Sequence, residues 1–359
     1  MRWYFNSVGK NYRGFVIHDD RTQVATLRVY FSVREFVDVT CDMPMPALKT
    51  SGAHETGFCG FVFDNQLMAA IRDKPNFAVF ESASGIMLYR RLAGGGFIPS
   101  KIFYSQARFT PIHPLLETIR RRSQLSYTSI DRYSRETVIS TTNINYSDSI
   151  FIAGSLDWVR FEKFITRANF TSVLFIMEPE KMLASTVVGI LKARRTDTLP
   201  AANLEPELAD LANELADIDF DDPEVLPMWE TRLTPEARAA LANPTIRHLA
   251  SVPLAVSVGP RNLAAALSVL SRIDIVGTEA TDAFFAETVK SSTAIDARYE
   301  VLEAARDMQG DDPLAERLAQ TEGARNLTNY DRMLYEICNL GLTAEKPDID
   351  DAIDILQRA

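Results

Sequence analysis

Three cysteines in 359 residues are too few, and too odd a number, for a disulfide framework. Cys41, Cys59 and Cys338 also lack the paired spacing of a zinc site, and Cys41 and Cys59 read as buried free thiols. The four histidines, His18, His54, His113 and His248, are scattered, so no metal constellation is expected. No apolar run is long enough to span a membrane, and MRWYFNSVGK lacks the apolar stretch of a signal peptide. These absences predict a cytoplasmic protein. There is no Gly-x-Ser-x-Gly elbow, no Walker A loop and no Gly-x-Gly-x-x-Gly turn, which leaves hydrolase, ATPase and dinucleotide readings without their motifs. A formal net charge of −10 argues against general nucleic-acid binding. Residues 201–231 are the extreme case, with ten acidic residues and no Lys or Arg. They read as an exposed acidic helix and loop, kept helical by Leu204, Leu208, Leu211 and Leu215.

What is present is an ordinary globular composition, 46 % hydrophobic and 24 % charged, in a chain long enough for two domains. Residues 1–95 are β-rich. TLRVYFSV (26–33), FVDVTCDM (36–43), GFCGFVF (57–63) and NFAVFES (76–82) are separated by turn residues, as in a small sandwich or open barrel. Gly94-Gly95-Gly96 is a linker signal. Beyond it the pattern alternates. KIFYSQ (101–106), ETVISTT (136–142) and SIFIAGS (149–155) are strand candidates. PIHPLLETIRRR (111–122) and LDWVRFEKFITRA (156–168) are helix candidates. Strands alternating with helices predict an α/β domain with a parallel sheet over 99–345, the acidic 201–231 stretch as an insertion, and a tail at 346–359. Gly341 is the expected C-cap of the last domain helix, NYDRMLYEICNLG (329–341).

The most informative stretch is FTSVLFIMEPEKMLASTVVGILK (170–192). Val173–Ile176 is a short apolar run, as in a parallel strand buried on both faces. Glu178-Pro179-Glu180 makes the turn, and Met182, Leu183, Val187, Ile190 and Leu191 recur at helical spacing. A strand entering a helix N-terminus is where α/β proteins hold phosphates, yet no arginine stands at this turn.

Three later segments carry a resemblance. ANPTIRHLAS (242–251), NLAAALSVLSRIDIVGTEATDAFFAETV (262–289) and NLTNYDRMLYEIC (326–338) occur in order. Together they resemble segments of the carbohydrate sulfotransferases, particularly the bacterial members, whose sulfate donor is adenosine 3′-phosphate 5′-phosphosulfate (PAPS). The resemblance spans about residues 99–342. It implies a P-loop-like parallel sheet flanked by helices, and transfer of sulfate from PAPS to a hydroxyl of a carbohydrate or polysaccharide.

The donor elements depart from the family pattern. The family's first strand enters a loop like Pro-Lys-Thr-Gly-Gly-Thr-Ser, whereas KIFYSQARFTPIHPLLETI (101–119) has neither loop glycine nor lysine. Where the family has Leu-Arg-Asp-Pro-x-x-Arg, Met177 and Met182 replace both arginines, and only Ser185 keeps its place. Losing one such arginine contact costs about 2 to 3 kcal/mol, or roughly 30- to 150-fold in affinity. Where the family has Gly-His, this chain has Gly154-Ser155, and serine cannot serve as a base near neutral pH. By resemblance, the donor-binding candidates are Arg108, Thr110, Ser185 and Arg247. Asn243 and His248 are acceptor-binding candidates, and His113 is a candidate catalytic group. The alternative reading is a relative without chemistry that binds a glycan or, through the β-rich module, a protein partner.

Overall fold

A computed structural model describes residues 1–7, 11–199, 205–293 and 312–343. The expected tail at 346–359 lies outside them. The fold is α/β: a five-stranded parallel sheet flanked by helices, preceded by two four-stranded antiparallel sheets.

The first antiparallel sheet contains β1 (Arg2–Asn6), β2 (Arg13–Ile17), β5 (Met43–Pro44) and β6 (Phe58–Val62), in the order β1-β2-β6-β5. The second contains β3 (Thr26–Ser32), β4 (Glu35–Thr40), β7 (Phe77–Glu81) and β8 (Met87–Arg91), in the order β4-β3-β7-β8. Aromatic rings join the two sheets. Phe5 stacks on Tyr89 at 4.9 Å between centroids, and Tyr12 meets Phe77 edge-on at 5.4 Å. Such pairs add about 0.5–1.5 kcal/mol beyond their buried area. The same core runs on into the rest of the chain. Trp3 Nε1 donates to Tyr146 Oη at 3.2 Å, and Tyr146 Oη donates to the Leu88 carbonyl at 2.7 Å. Despite the Gly94-Gly95-Gly96 turn, the sandwich and the parallel sheet share one apolar cluster.

The parallel sheet contains β9 (Lys101–Ser105), β10 (Leu125–Tyr127), β11 (Ile150–Gly154), β12 (Thr171–Ile176) and β13 (Ile275–Thr278), in the order β10-β11-β9-β12-β13. Its residues alternate between two cores. Phe103, Ile150, Ile152, Leu174 and Ile176 pack with Trp158, Ile165 and Leu263. Ile102, Tyr104, Phe151, Val173 and Ile275 pack with Leu115, Leu116, Ile119 and Phe285. Burial on both faces explains the near-continuous apolar runs of these strands. β9 lies between β11 and β12, and the chain crosses from β11 to β12 through the Trp158–Arg167 helix. Ligands of open α/β sheets bind outside the carboxyl ends of the strands at such a change of direction.

Three local expectations are corrected. ETVISTT belongs to a helix, Arg135–Thr142, because Ser134 caps it and buries Val138 and three threonines; its β-branched residues misled the strand assignment. The 111–122 helix starts at Pro114, with His113 as its N-cap. The last domain helix runs past Gly341 to Thr343, so Gly341 is not its cap. The acidic stretch is more than a solvated flank. Its helix, Pro206–Ala216, buries Leu208, Leu211 and Leu215 in a third core with the Pro179–Arg195 helix. Trp229 within it is fully buried and donates to Thr321 Oγ1 at 3.2 Å.

Candidate functional site

A cleft of about 1600 Å³ opens above the carboxyl ends of β9 and β12. Its floor includes Ser105, Gln106, Phe175 and Met177, and its walls include Ser185 and Met182 on the Pro179–Arg195 helix. The opposite sides bring in Thr245, His248, Glu279 and Asp282, and then Asp312, Glu316 and Gln320. The strand–turn–helix at 170–192 therefore borders this cleft. Met177 and Met182 line it without closing it.

Charge in this cleft runs opposite to what an anionic ligand needs. Its lining holds six carboxylates (Glu178, Glu180, Glu279, Asp282, Asp312, Glu316) against four cations (Lys181, Lys192, Lys290, Arg325). Two of the cations are already paired. Lys181 Nζ lies 2.6 Å from Glu279 and 3.0 Å from Glu178, and Lys192 Nζ lies 2.7 Å from Asp312.

The loop after β9 does not form an anion cradle. Thr110 Oγ1 donates to the Ala107 carbonyl at 2.7 Å. Arg108 Nε lies 2.9 Å from Asp131, and its Nη1 lies 2.6 Å from Glu205. Arg108 is also absent from the cleft lining; it borders a smaller neighbouring hollow of about 260 Å³. Phe109 takes a left-handed backbone, φ 64°, and presses onto Gly189 of the Pro179–Arg195 helix. A Cβ at Gly189 would fall 2.4 Å from Phe109 Cβ and 2.6 Å from its carbonyl oxygen, so the glycine lets loop and helix close on each other.

His113 caps its helix through Nδ1, which accepts from the Leu115 N–H at 3.3 Å. Nε2 therefore carries the proton and donates to Asp282 at 2.9 Å. The ring sits against Phe175 at 4.5 Å, and burial lowers its pKa although the Asp282 carboxylate opposes that shift. With both nitrogens engaged, His113 holds a helix entrance.

Arg247 and Asn243 are also architectural. Arg247 donates to the carbonyls of Ala239, Val252, Pro253 and Val256, and it does not line the cleft. Burial lowers its pKa to about 10, opposed by Asp331. Asn243 stands in the left-handed region, φ 54°. Its Oδ1 accepts from the N–H groups of Tyr330 and Asp331 at 2.8 and 3.0 Å. The Asp331 carboxylate returns the contact, accepting from Thr245 and Ile246 at 2.9 and 2.8 Å. Asn243, the N-cap of the Pro244–Leu249 helix, thus satisfies first-turn N–H groups of the Asn329–Thr343 helix, and Asp331, in the first turn of the latter, satisfies those of the former. Neither Arg247 nor Asn243 lines the cleft.

Of the residues singled out in the sequence, Thr110, His113, Ser185 and His248 line the cleft. Among the described residues the Ser185 hydroxyl has no hydrogen-bond partner. His248 lies between two serines that sequence reasoning did not join to it. Nε2 is 2.9 Å from Ser105 Oγ, at the end of β9, and Nδ1 is 2.9 Å from Ser155 Oγ, just past β11. Gly154, φ 143°, allows that strand end to pass the Ser129–Asp131 turn, where a Cβ would lie 2.6 Å from the Ile130 nitrogen. Burial pulls His248 down to about 4, so the imidazole is neutral near pH 7. Both serines end strand runs legible in the sequence. Nothing local signals a histidine 143 and 93 residues away.

Among the described residues no group of three His, Cys, Asp or Glu side chains could hold a metal ion, and no helix is long and apolar enough to cross a membrane. Cys41 and Cys59 are free and buried. No family model, no curated protein and no solved structure matches this chain.

Proposed function

We propose that this chain is a sulfotransferase-like protein whose cleft binds a carbohydrate and has given up PAPS as a donor. The observation that carries this reading is the acid excess of the cleft lining. A phosphate monoester brings about −1.5 to −2 charges near pH 7, and PAPS adds a phosphosulfate to that. The lining carries two more carboxylates than cations, which disfavours such a ligand, and the positions that would hold arginine are Met177 and Met182. A neutral polyol meets no such penalty. Carboxylates accept from its hydroxyls, Ser185, Gln106 and Gln320 offer further polar contacts, and Phe175 and the methionines cover its apolar faces. The volume exceeds the roughly 300–1,000 Å³ of drug-sized pockets, which suits several sugar rings.

Calorimetry separates this from sulfate transfer. Adenosine 3′,5′-bisphosphate is expected not to bind at millimolar concentration, while neutral oligosaccharides bind and the Ser185→Ala variant binds them more weakly. Micromolar binding of the bisphosphate would overturn the reading in favour of a working sulfotransferase.

A further inference from the structure

We propose that Ser105 is a nucleophile activated by His248, with Ser155 as the residue that positions the imidazole, and that the cleft cleaves carboxylic esters such as O-acyl groups on sugar hydroxyls. The geometry is that of a nucleophile, a base and an orienting group within hydrogen-bond reach of one another. His248 Nε2 stands 2.9 Å from Ser105 Oγ, and Nδ1 stands 2.9 Å from Ser155 Oγ. A neutral imidazole has one N–H and one lone pair, so one serine receives a proton and the other offers one. Ser105 and His248 line the cleft and Ser155 does not. The productive tautomer is therefore the one in which Nδ1–H donates to Ser155, leaving Nε2 to accept the Ser105 proton. Ser105 also ends β9 beside both β11 and β12, at the mouth of the sheet.

The step balances with water as the only co-reactant. Ser105 Oγ bonds to the ester carbonyl carbon as its proton passes to Nε2. The bond from that carbon to the alcohol oxygen breaks, and Nε2 returns the proton to the leaving alcohol. Water then attacks the acyl-serine, giving its proton to Nε2, and the carboxylic acid leaves as Ser105 regains its hydrogen. His248 enters the step as a neutral imidazole able to accept the proton, but the burial that keeps it neutral also lowers its basicity, so it acts as a weak base.

The choice of a sugar ester rests on the carbohydrate reading above, but the reactivity of Ser105 does not. The test is covalent labelling with a fluorophosphonate probe, read by intact mass and peptide mapping, with thermal melts run alongside. The wild-type protein is expected to gain one adduct on Ser105, and Ser105→Ala none. His248→Gln should slow labelling about 100-fold, the scale of general-base assistance. Ser155→Ala should slow it about 10-fold with its melting unchanged. Absence of an adduct on wild-type Ser105 would overturn the proposal, as would an unchanged rate in Ser155→Ala, which decides the matter if His248→Gln does not fold. A protein that binds oligosaccharides yet is never labelled loses the nucleophile and keeps the carbohydrate reading.

Discussion

Two polar networks serve helix entrances near the same cleft, and they are built to opposite rules. The Asn243–Asp331 interlock is buried, with Asp331 only 1 % exposed, and its oxygens meet backbone N–H groups of two helices. The Glu178–Lys181–Glu279 cluster sits at the cleft rim with Lys181 49 % exposed, and it consists mainly of charged side chains facing one another. Removing one partner from the first network strands buried donors. In the second, water replaces what is lost. The segments 242–251 and 326–338 supply the interlock, whereas the turns at 106–113 and 177–182 border the open cleft.

The largest expected effect comes from breaking the interlock at Asp331. Asp331→Ala leaves the Thr245 and Ile246 N–H groups without partners and should cost about 3 kcal/mol in urea unfolding. A loss below about 1 kcal/mol would mean that water enters and the interlock is not the clamp described. The cost should also depend on pH. Burial raises Asp331 from 3.8 to about 6, opposed by its backbone hydrogen bonds and by Arg247. Because the folded value lies above the unfolded one, the native state favours the proton. The resulting stabilisation is fully present below about pH 4 and is lost as pH rises through about 6. The difference between wild type and Asp331→Ala should therefore widen by about 2 kcal/mol as pH falls from roughly 7.5 to 4.5. An equal difference at both ends would show that Asp331 titrates as an ordinary carboxylate.

Asn243 sharpens the comparison from the other side of the interlock. Its side chain accepts two N–H groups, and its backbone is left-handed. Asn243→Ala loses the acceptor and strains the backbone, for about 2 to 3 kcal/mol in all. Asn243→Gly loses the acceptor while keeping the conformation at little strain, so it should retain about 1 kcal/mol more stability than Ala. Equal losses in paired denaturation curves would assign the whole effect to the side chain.

Much of this architecture was legible in the sequence. The runs at 101–106, 149–155 and 170–176 became β9, β11 and β12 because parallel strands buried on both faces need unbroken apolar residues. The strands β1, β2 and β8 and the three-residue β10 escaped notice, because their apolar pattern matures only against aromatic partners far along the chain. The site was less legible. Ser185 and His248 do line the cleft, but Arg108, Asn243 and Arg247 were polar residues whose partners are carboxylates, amides and carbonyls distant in sequence. A motif alone cannot separate a ligand contact from a clamp, since both call for the same hydrogen-bonding groups.

The smallest effect is expected at the rim, and it tests the contrast most directly. Lys181→Ala removes both ion pairs with Glu178 and Glu279, yet the Glu279 carboxylate still accepts from the Glu178 N–H at 3.3 Å. A half-exposed pair contributes about 0–1 kcal/mol and is screened by salt. Denaturation of Lys181→Ala should thus fall within about 1 kcal/mol of wild type at low salt, with the gap closing as salt rises. The same change takes one positive charge from a cleft already rich in acids, so a neutral oligosaccharide should bind with unchanged salt dependence. A loss above about 2 kcal/mol that persists at high salt would make the rim a structural clamp like the interlock, and the distinction between the two networks would fall.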